Sequence, residues 1–202
     1  MKREFVVKDN VLINASYSLS LVEQRLMILA IIVARKSGDL SWDIDHWYGK
    51  PVQIPAESYE ITFNVTRQAS YLALKEAAKN LFERRFSYQE ERVKGVAQKT
   101  SRWVSDIAYI DSTATVEITF SPVVLPLITN LEKHFTSYEI EQVSNLNSPY
   151  AVRLYELIIS WRSTKKTPII DLQDFRNRIR VLENEYQSME LFKRRDLEPA
   201  IS

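Results

Sequence analysis

Residues 55–85 read PAESYEITFNVTRQASYLALKEAAKNLFERR, and the fold turns on how this stretch divides. The second half is an amphipathic helix. Thr66 can cap it through its hydroxyl. Tyr71, Leu74, Ala78 and Leu81 recur at spacings of three and four on one face, while Arg67, Gln68, Lys75 and Lys79 fall largely on the other. Arg84 and Arg85 close it. The first half opens on Pro55, which suits the start of a helix over residues 56–63. Asn64 and Val65 leave room only for a tight turn, and Tyr59 and Phe63 face the same way as Val65. Two helices joined by so short a turn form a helix-turn-helix.

The flanking sequence extends this unit. Upstream, residues 18–38 (SLSLVEQRLMILAIIVARKSG) predict a helix from Leu21. Ser20 and Glu23 have capping-box spacing, Leu26, Leu29, Ala30 and Val33 form a stripe, and Gly38 ends it. Residues 39–51 are irregular, and residues 52–54 (VQI) predict a short strand. Downstream, residues 103–110 and 113–120 alternate as strands across a turn at Asp111 and Ser112, with Ala114, Val116, Ile118 and Phe120 inward. A helix-turn-helix followed by a hairpin is a winged helix. The basic segment 90–102 (EERVKGVAQKTSR) is read as a loop at the position of the wing. Beyond it come a short helix over 123–132 disturbed by Pro126, and a strand over 135–143. A strong helix then opens on Ser148 and Pro149, with Ala151, Leu154, Tyr155, Ile158 and Trp161 as its stripe.

The last part is a faint echo of the first. Phe175, Ile179 and Val181 repeat the spacing of Tyr59, Phe63 and Val65, 116 residues on, and a second basic helix follows over 188–202. No alternating strands come after it. The expected class is therefore α+β: a tandem, pseudo-symmetric pair of winged helix-turn-helix units with the second copy incomplete. The first domain is drawn at residues 1–145 and the second at 146–202.

Charge supports a nucleic-acid partner. The net formal charge is only +1, but residues 64–102 carry nine basic and four acidic residues, and residues 103–160 carry two and seven. A localised basic block is the footprint of a nucleic-acid binder; the acidic block belongs on a face turned away from it. The remaining counts exclude other classes. There are no cysteines, so thiolate metal sites, thiol catalysis and disulfides are absent. Three glycines give no phosphate loop, and His46 and His134 lie far apart. The segment DIDH at 43–46 has no second ligand pair beside it. No enzyme activity, metal or cofactor is expected. No apolar run reaches a membrane span and the N-terminus has no signal-like core, so a cytoplasmic location without membrane contact is expected.

Arginine forks onto guanine and glutamine onto adenine, and in a helix-turn-helix such groups sit in the first turns of the second helix. Thr66, Arg67, Gln68, Ser70 and Tyr71 occupy that place, although Tyr71 fits the core stripe equally. Leu72, near the polar edge, suits a thymine methyl or a protein partner. Lys75 and Lys79 suit phosphates, as do Arg92, Lys94, Lys99 and Arg102 in the wing segment. Arg84 and Arg85 are either further contacts or favourable charges at a helix C-terminus. In the second unit the candidates are Gln187, Ser188, Lys193, Arg194 and Arg195. Arg176, Arg178 and Arg180 are weaker, since alternating arginines on one helix cannot all face one groove.

Three segments together, in order and spacing, resemble the iteron-binding plasmid replication initiators. They are VKDNVLINASYSLSLVEQRLMILAI near the N-terminus, SPYAVRLYELIISWR, and TPIIDLQDFRNRI followed by EYQSMELFKRR. The resemblance implies two winged-helix domains that bind double-stranded DNA at origin direct repeats as monomers. It implies repression as a homodimer at a promoter inverted repeat, with the host initiator protein and the replicative helicase as further partners. The first domain would supply the dimer interface and backbone contacts, and the second much of the base reading. Asp196 stands where the family tends to be apolar, on the same face as Phe192, and Pro199 breaks the same helix. The second domain is accordingly expected to be incomplete.

Overall fold

The computed structural model describes residues 3–37, 48–129, 131, 134–179, 181, 188–194 and 198. The helix from Leu21 to Ser37 (α2) is its axis. Its opening is the expected capping box: the Glu23 carboxylate accepts from the Ser20 amide at 2.6 Å, and the Ser20 hydroxyl from the Glu23 amide at 3.2 Å. The anticipated one-sided stripe is too narrow. Every residue from Glu23 to Ile32 is buried, because other elements surround the helix. Two of its buried polar side chains reach backbone carbonyls: Arg25 Nη2 donates to those of Ser144 and Leu146, and Gln24 to those of Leu19 and Pro149.

Before α2 the chain forms β1 (Phe5–Asp9), α1 (Asn10–Asn14) and the short β2 (Ser16–Tyr17). None of the three is marked by the sequence periodicity. After it come β3 (Val52–Pro55), α3 (Ala56–Phe63) and α4 (Arg67–Leu81). Asn64 takes the left-handed conformation, with φ at 48°, and the Thr66 hydroxyl accepts from the Ala69 amide at 3.3 Å. The turn and cap that the sequence predicts are both present.

The strands that follow differ from expectation. The basic segment is no loop: β4 (Arg85–Arg92) and β5 (Gly95–Arg102) pair in antiparallel register as a ribbon closed by Val93 and Lys94. Gly95, at φ 109°, supplies the positive-φ residue that so tight a closure needs. The ribbon was unreadable by alternation because, from Gln89 to Gln98, neither of its faces is buried. Cross-strand polar pairs hold it instead, such as Ser87 with Thr100 at 2.8 Å. The strands β6 (Val104–Ile110) and β7 (Thr115–Phe120) form the predicted hairpin. β7 also pairs with β3, giving the sheet order β3-β7-β6. The wing position of that sheet is therefore the turn at 111–114, and the ribbon is a separate projection between α4 and β6. A bulge between Val104 and Asp106 puts both Trp103 and Val104 inside, where strict alternation allowed only one.

The rest is shorter than its sequence suggests. The helix expected over 123–132 is one turn, α5 (Leu125–Ile128), and the expected long strand is β8 (Phe135–Glu139) followed by α6 (Glu141–Ser144). β8 pairs with β1. The long helix α7 (Pro149–Ser160) opens on Ser148, whose hydroxyl accepts from the Tyr150 amide. Its buried face holds Ala151, Val152, Leu154 and Leu157 together with Arg153 and Glu156, while Ile158 is exposed. Beyond α7 lie α8 (Leu172–Ile179) and α9 (Met189–Phe192). Ile179, Val181 and Phe192 pack with Ile13 and Leu157 in a small cluster, and Phe175 lies against it. The main cluster gathers α2, α3, α4 and the β3-β7-β6 sheet.

Between the clusters lies a buried ionic centre that the sequence reading did not find. Arg153 is 1% exposed. Its Nη1 donates to the Tyr17 hydroxyl at 2.6 Å and to Glu156 at 3.1 Å; its Nη2 donates to the carbonyls of Ile13, Ala15 and Arg178 at 2.9–3.0 Å. Glu156 also receives Lys8 at 2.5 Å and the Tyr138 hydroxyl at 2.6 Å. The available signal was the helical position of Arg153 and Glu156, three apart beside the apolar stripe.

Candidate nucleic-acid interface

The exposed side of α4 presents Arg67, Gln68, Ala69, Leu72, Lys75, Glu76, Lys79 and Asn80. Arg67 and Gln68 stand in the first turn, which contains no acidic residue and whose free amides favour an anion. Arg67 is held in place. Its Nε donates to the Tyr71 hydroxyl at 2.7 Å and its guanidinium lies 5.4 Å from that ring's centre. The Tyr71 ring packs against the main cluster, as its place in the stripe predicts, and its hydroxyl accepts from the arginine. Glu57, Glu60 and Ile61 line the same recess as Arg67 and Tyr71. Leu72 is 65% exposed, an open apolar side chain in the middle of this face.

Two first-turn assignments change. Ser70 is fully buried and its hydroxyl donates to the Thr66 carbonyl at 3.0 Å, because position 70 turns toward α3 and the core. It is not an accessible contact. The Thr66 side chain is engaged in its cap.

The basic block is also less free than its count implies. Lys75 pairs with Asp111 of the wing turn at 2.5 Å. That hydrogen bond and the Asp111 charge beside it raise the Lys75 pKa. Glu90 takes both Lys99, at 2.8 Å, and Arg92, at 3.0 Å, and these two hydrogen bonds lower its pKa. Arg102 donates to the Phe82 carbonyl and to Glu83, and its guanidinium lies over the Phe82 ring, so it fastens the ribbon to the end of α4. Arg84 meets the buried Glu23 at 2.9 Å, a structural role. Within residues 64–102, Lys79, Arg85 and Lys94 are the exposed cations without an ion pair. Sequence alone shows the charges and hides their partners, because Asp111 and Glu23 lie 36 and 61 residues from the cations they meet.

In the second unit Ser188 caps the α9 turn, its hydroxyl accepting from the Leu191 amide at 3.3 Å, and Lys193 and Arg194 are exposed. Gln187, Arg195, Asp196 and Pro199 lie outside the described residues, as does the 43–46 segment. Arg178 is bound to Asp174 and to Asn14, and Arg176 sits over the Phe192 ring. Both arginines of α8 are thus directed into the fold. Among the described residues, no three histidine, aspartate or glutamate side chains gather closely enough to hold a metal. None of the described helices is long and apolar enough to cross a membrane.

A strand, a helix-turn-helix and a hairpin that returns to pair with that strand make the first unit a winged helix. The model of a family described as Initiator Replication protein, WH1, matches residues 5–159, and the chain belongs to that family. A replication initiation protein of Escherichia coli is 25% identical over 98% of this chain, which spans 61% of that relative's length. The Pi initiator protein, solved in complex with iteron DNA, superposes over 100% of this chain and 85% of its own with a TM-score of 0.76 at 21% identity, a likeness of fold. A solved WH1 domain of a replication protein, MSBI1.176, isolated from a multiple sclerosis patient, is 48% identical over 62% of this chain and 84% of its own, with a TM-score of 0.46.

Proposed function

We propose that this chain binds double-stranded DNA at the direct repeats of a plasmid origin, to initiate replication. The observation that carries the reading is Arg67, held by the Tyr71 hydroxyl beside the exposed Gln68 in the capped first turn of α4. Lys79, Arg85 and Lys94 beside it supply uncompensated positive charge. The mechanism is non-enzymatic: phosphate neutralisation gives affinity, and the first turn of α4 gives part of the base reading. Lys193 and Arg194 belong to the contribution of the second unit. A homodimer repressing its own promoter through an inverted repeat, contacts with the host initiator and the replicative helicase, and a cytoplasmic location complete the proposal.

Fluorescence anisotropy on a repeat-bearing duplex tests it. With about four phosphates engaged, affinity should fall roughly a hundredfold between about 50 and about 200 mM salt. Arg67→Ala should erase preference for the repeat over random duplex, and Lys79→Ala should weaken both alike. Absence of binding to any duplex at the lower salt overturns the DNA reading. In its place it supports a protein-interaction module, a reading favoured by the internal pairing of Lys75, Arg92, Lys99 and Arg102.

That pairing makes a second prediction. Glu90→Gln removes the carboxylate that occupies Arg92 and Lys99. DNA binding should then tighten several-fold at low salt, with the salt slope steeper by about one. An unchanged slope and affinity would mean that neither cation reaches a phosphate.

A further inference from the structure

Leu72 is the large apolar side chain that α4 leaves exposed, and the binding reading above makes no use of it. A single exposed leucine needs no explanation by itself. What singles this one out is its place in a row. Residues 68, 72, 75 and 79 of a helix fall within an arc of about 60°, so Gln68, Leu72, Lys75 and Lys79 line up along one face, and all four are exposed. Ala69, also exposed, lies three residues before Leu72 and flanks it. The Gln68 side chain has no hydrogen-bond partner among the described residues. The row therefore runs from a free amide, past an apolar pair, to two cations, of which Lys75 is held by Asp111 of the wing turn. A protein partner fits such a row poorly. One leucine and one alanine between polar side chains fall far short of the roughly 800 Å² that a stable protein contact covers on each side.

We propose that this face of α4 reads A·T pairs in the major groove, with Gln68 on the edge of an adenine and Leu72, beside Ala69, covering the methyl group of a nearby thymine. The proposal rests on the DNA reading above and names the bases that it selects. Adenine offers one amide both an acceptor and a donor, and thymine alone presents a methyl group to that groove. Four residues of helix rise about 6 Å, against about 3.4 Å per base step along a strand. The thymine thus stands about one or two steps from the adenine. Lys79, further along the same row, then reaches a phosphate.

The two contacts can be removed from the DNA one at a time. The probe is a duplex that the full chain selects from a pool of random sequences, with binding read by anisotropy. Uracil in place of thymine deletes the methyl groups alone, and 7-deazaadenine in place of adenine deletes the acceptor that the amide would meet. Loss of the methyl group under Leu72 should raise the Kd about fourfold, and loss of the adenine acceptor about fivefold. Leu72→Ala should lose most of the uracil penalty and keep the deazaadenine one; Gln68→Ala should do the reverse. Both side chains are exposed, so neither variant disturbs the core. If the full chain binds the thymine and uracil duplexes alike, or either variant keeps the penalty it should lose, the base assignment is overturned while the DNA reading stands. If the chain binds no duplex at all, both fall together.

Discussion

Arg153→Ala should lower the free energy of unfolding by about 3–5 kcal/mol, the cost of breaking a buried charge cluster from one side. The guanidinium is the only cation besides Lys8 that meets Glu156 among the described residues, and it also satisfies three backbone carbonyls, two at the end of α1 and one at the end of α8. Alanine leaves all of them buried and under-satisfied at once. Arg153→Lys should recover only part of the loss, since an ammonium lacks the planar fork that reaches carboxylate and carbonyls together. Urea unfolding measures both, and a loss below about 1 kcal/mol for the alanine variant would contradict this account. The same centre gives a pH signature. Burial pushes the Glu156 carboxyl up, but Lys8 and Arg153 outweigh it and hold the pKa down to about 2 from an ordinary 4.5. A folded-state pKa below the unfolded one means stability present above pH 4.5 and lost as pH falls toward about 2. In Arg153→Ala the loss should begin at higher pH, because one of the two cations that hold the carboxylate is gone.

Trp103→Ala should cost a similar amount, about 3–5 kcal/mol, by opening a cavity where the ribbon meets the sheet. Trp103 is 1% exposed, edge-on to Tyr17 with ring centres 4.8 Å apart, and 4.9 Å from Phe86. Tyr17 and Phe86 are cross-strand partners in β2 and β4, so the indole closes the base of the ribbon from below. Trp103→Phe is the control. The indole N–H meets no acceptor among the described residues, so phenylalanine loses ring area and no hydrogen bond. It should retain more than half of the stability that alanine loses. Equal losses for the two variants would show that the indole nitrogen matters after all.

The helix-turn-helix was legible because its signals are local. Thr66, Ser20 with Glu23, and Ser148 each form their cap within three residues, as the sequence predicts. The capacity of Asn64 for the left-handed region sets the turn between α3 and α4. The ribbon was illegible for the opposite reason: with neither face of its outer part buried, it carries no alternation. The central helix α2 was recognised but its surroundings were not, since periodicity gives one face and says nothing of β1, β3, α3 and α4 arriving to cover the others. In the interface, residue types pointed to Arg67 and Gln68. What sequence could not supply was the partner of each cation: Asp111 for Lys75, Glu23 for Arg84, and Glu83 for Arg102. Ser70 lies one residue from an exposed position, and only the packing of α4 decides that it turns inward.

The two-residue strand β2 has a mechanical consequence out of proportion to its length. Its pairing with β4 fastens it to the foot of the ribbon, Ser16 opposite Ser87 and Tyr17 opposite Phe86. The Ser16 hydroxyl donates to the Asn177 carbonyl of α8, and the Tyr17 hydroxyl accepts from Arg153, whose other nitrogen holds the next carbonyl along, that of Arg178. A load applied at the ribbon therefore has a short, hydrogen-bonded path to the end of α8. Tension at the ribbon's foot reaches the end of α8 through Ser16 and Tyr17.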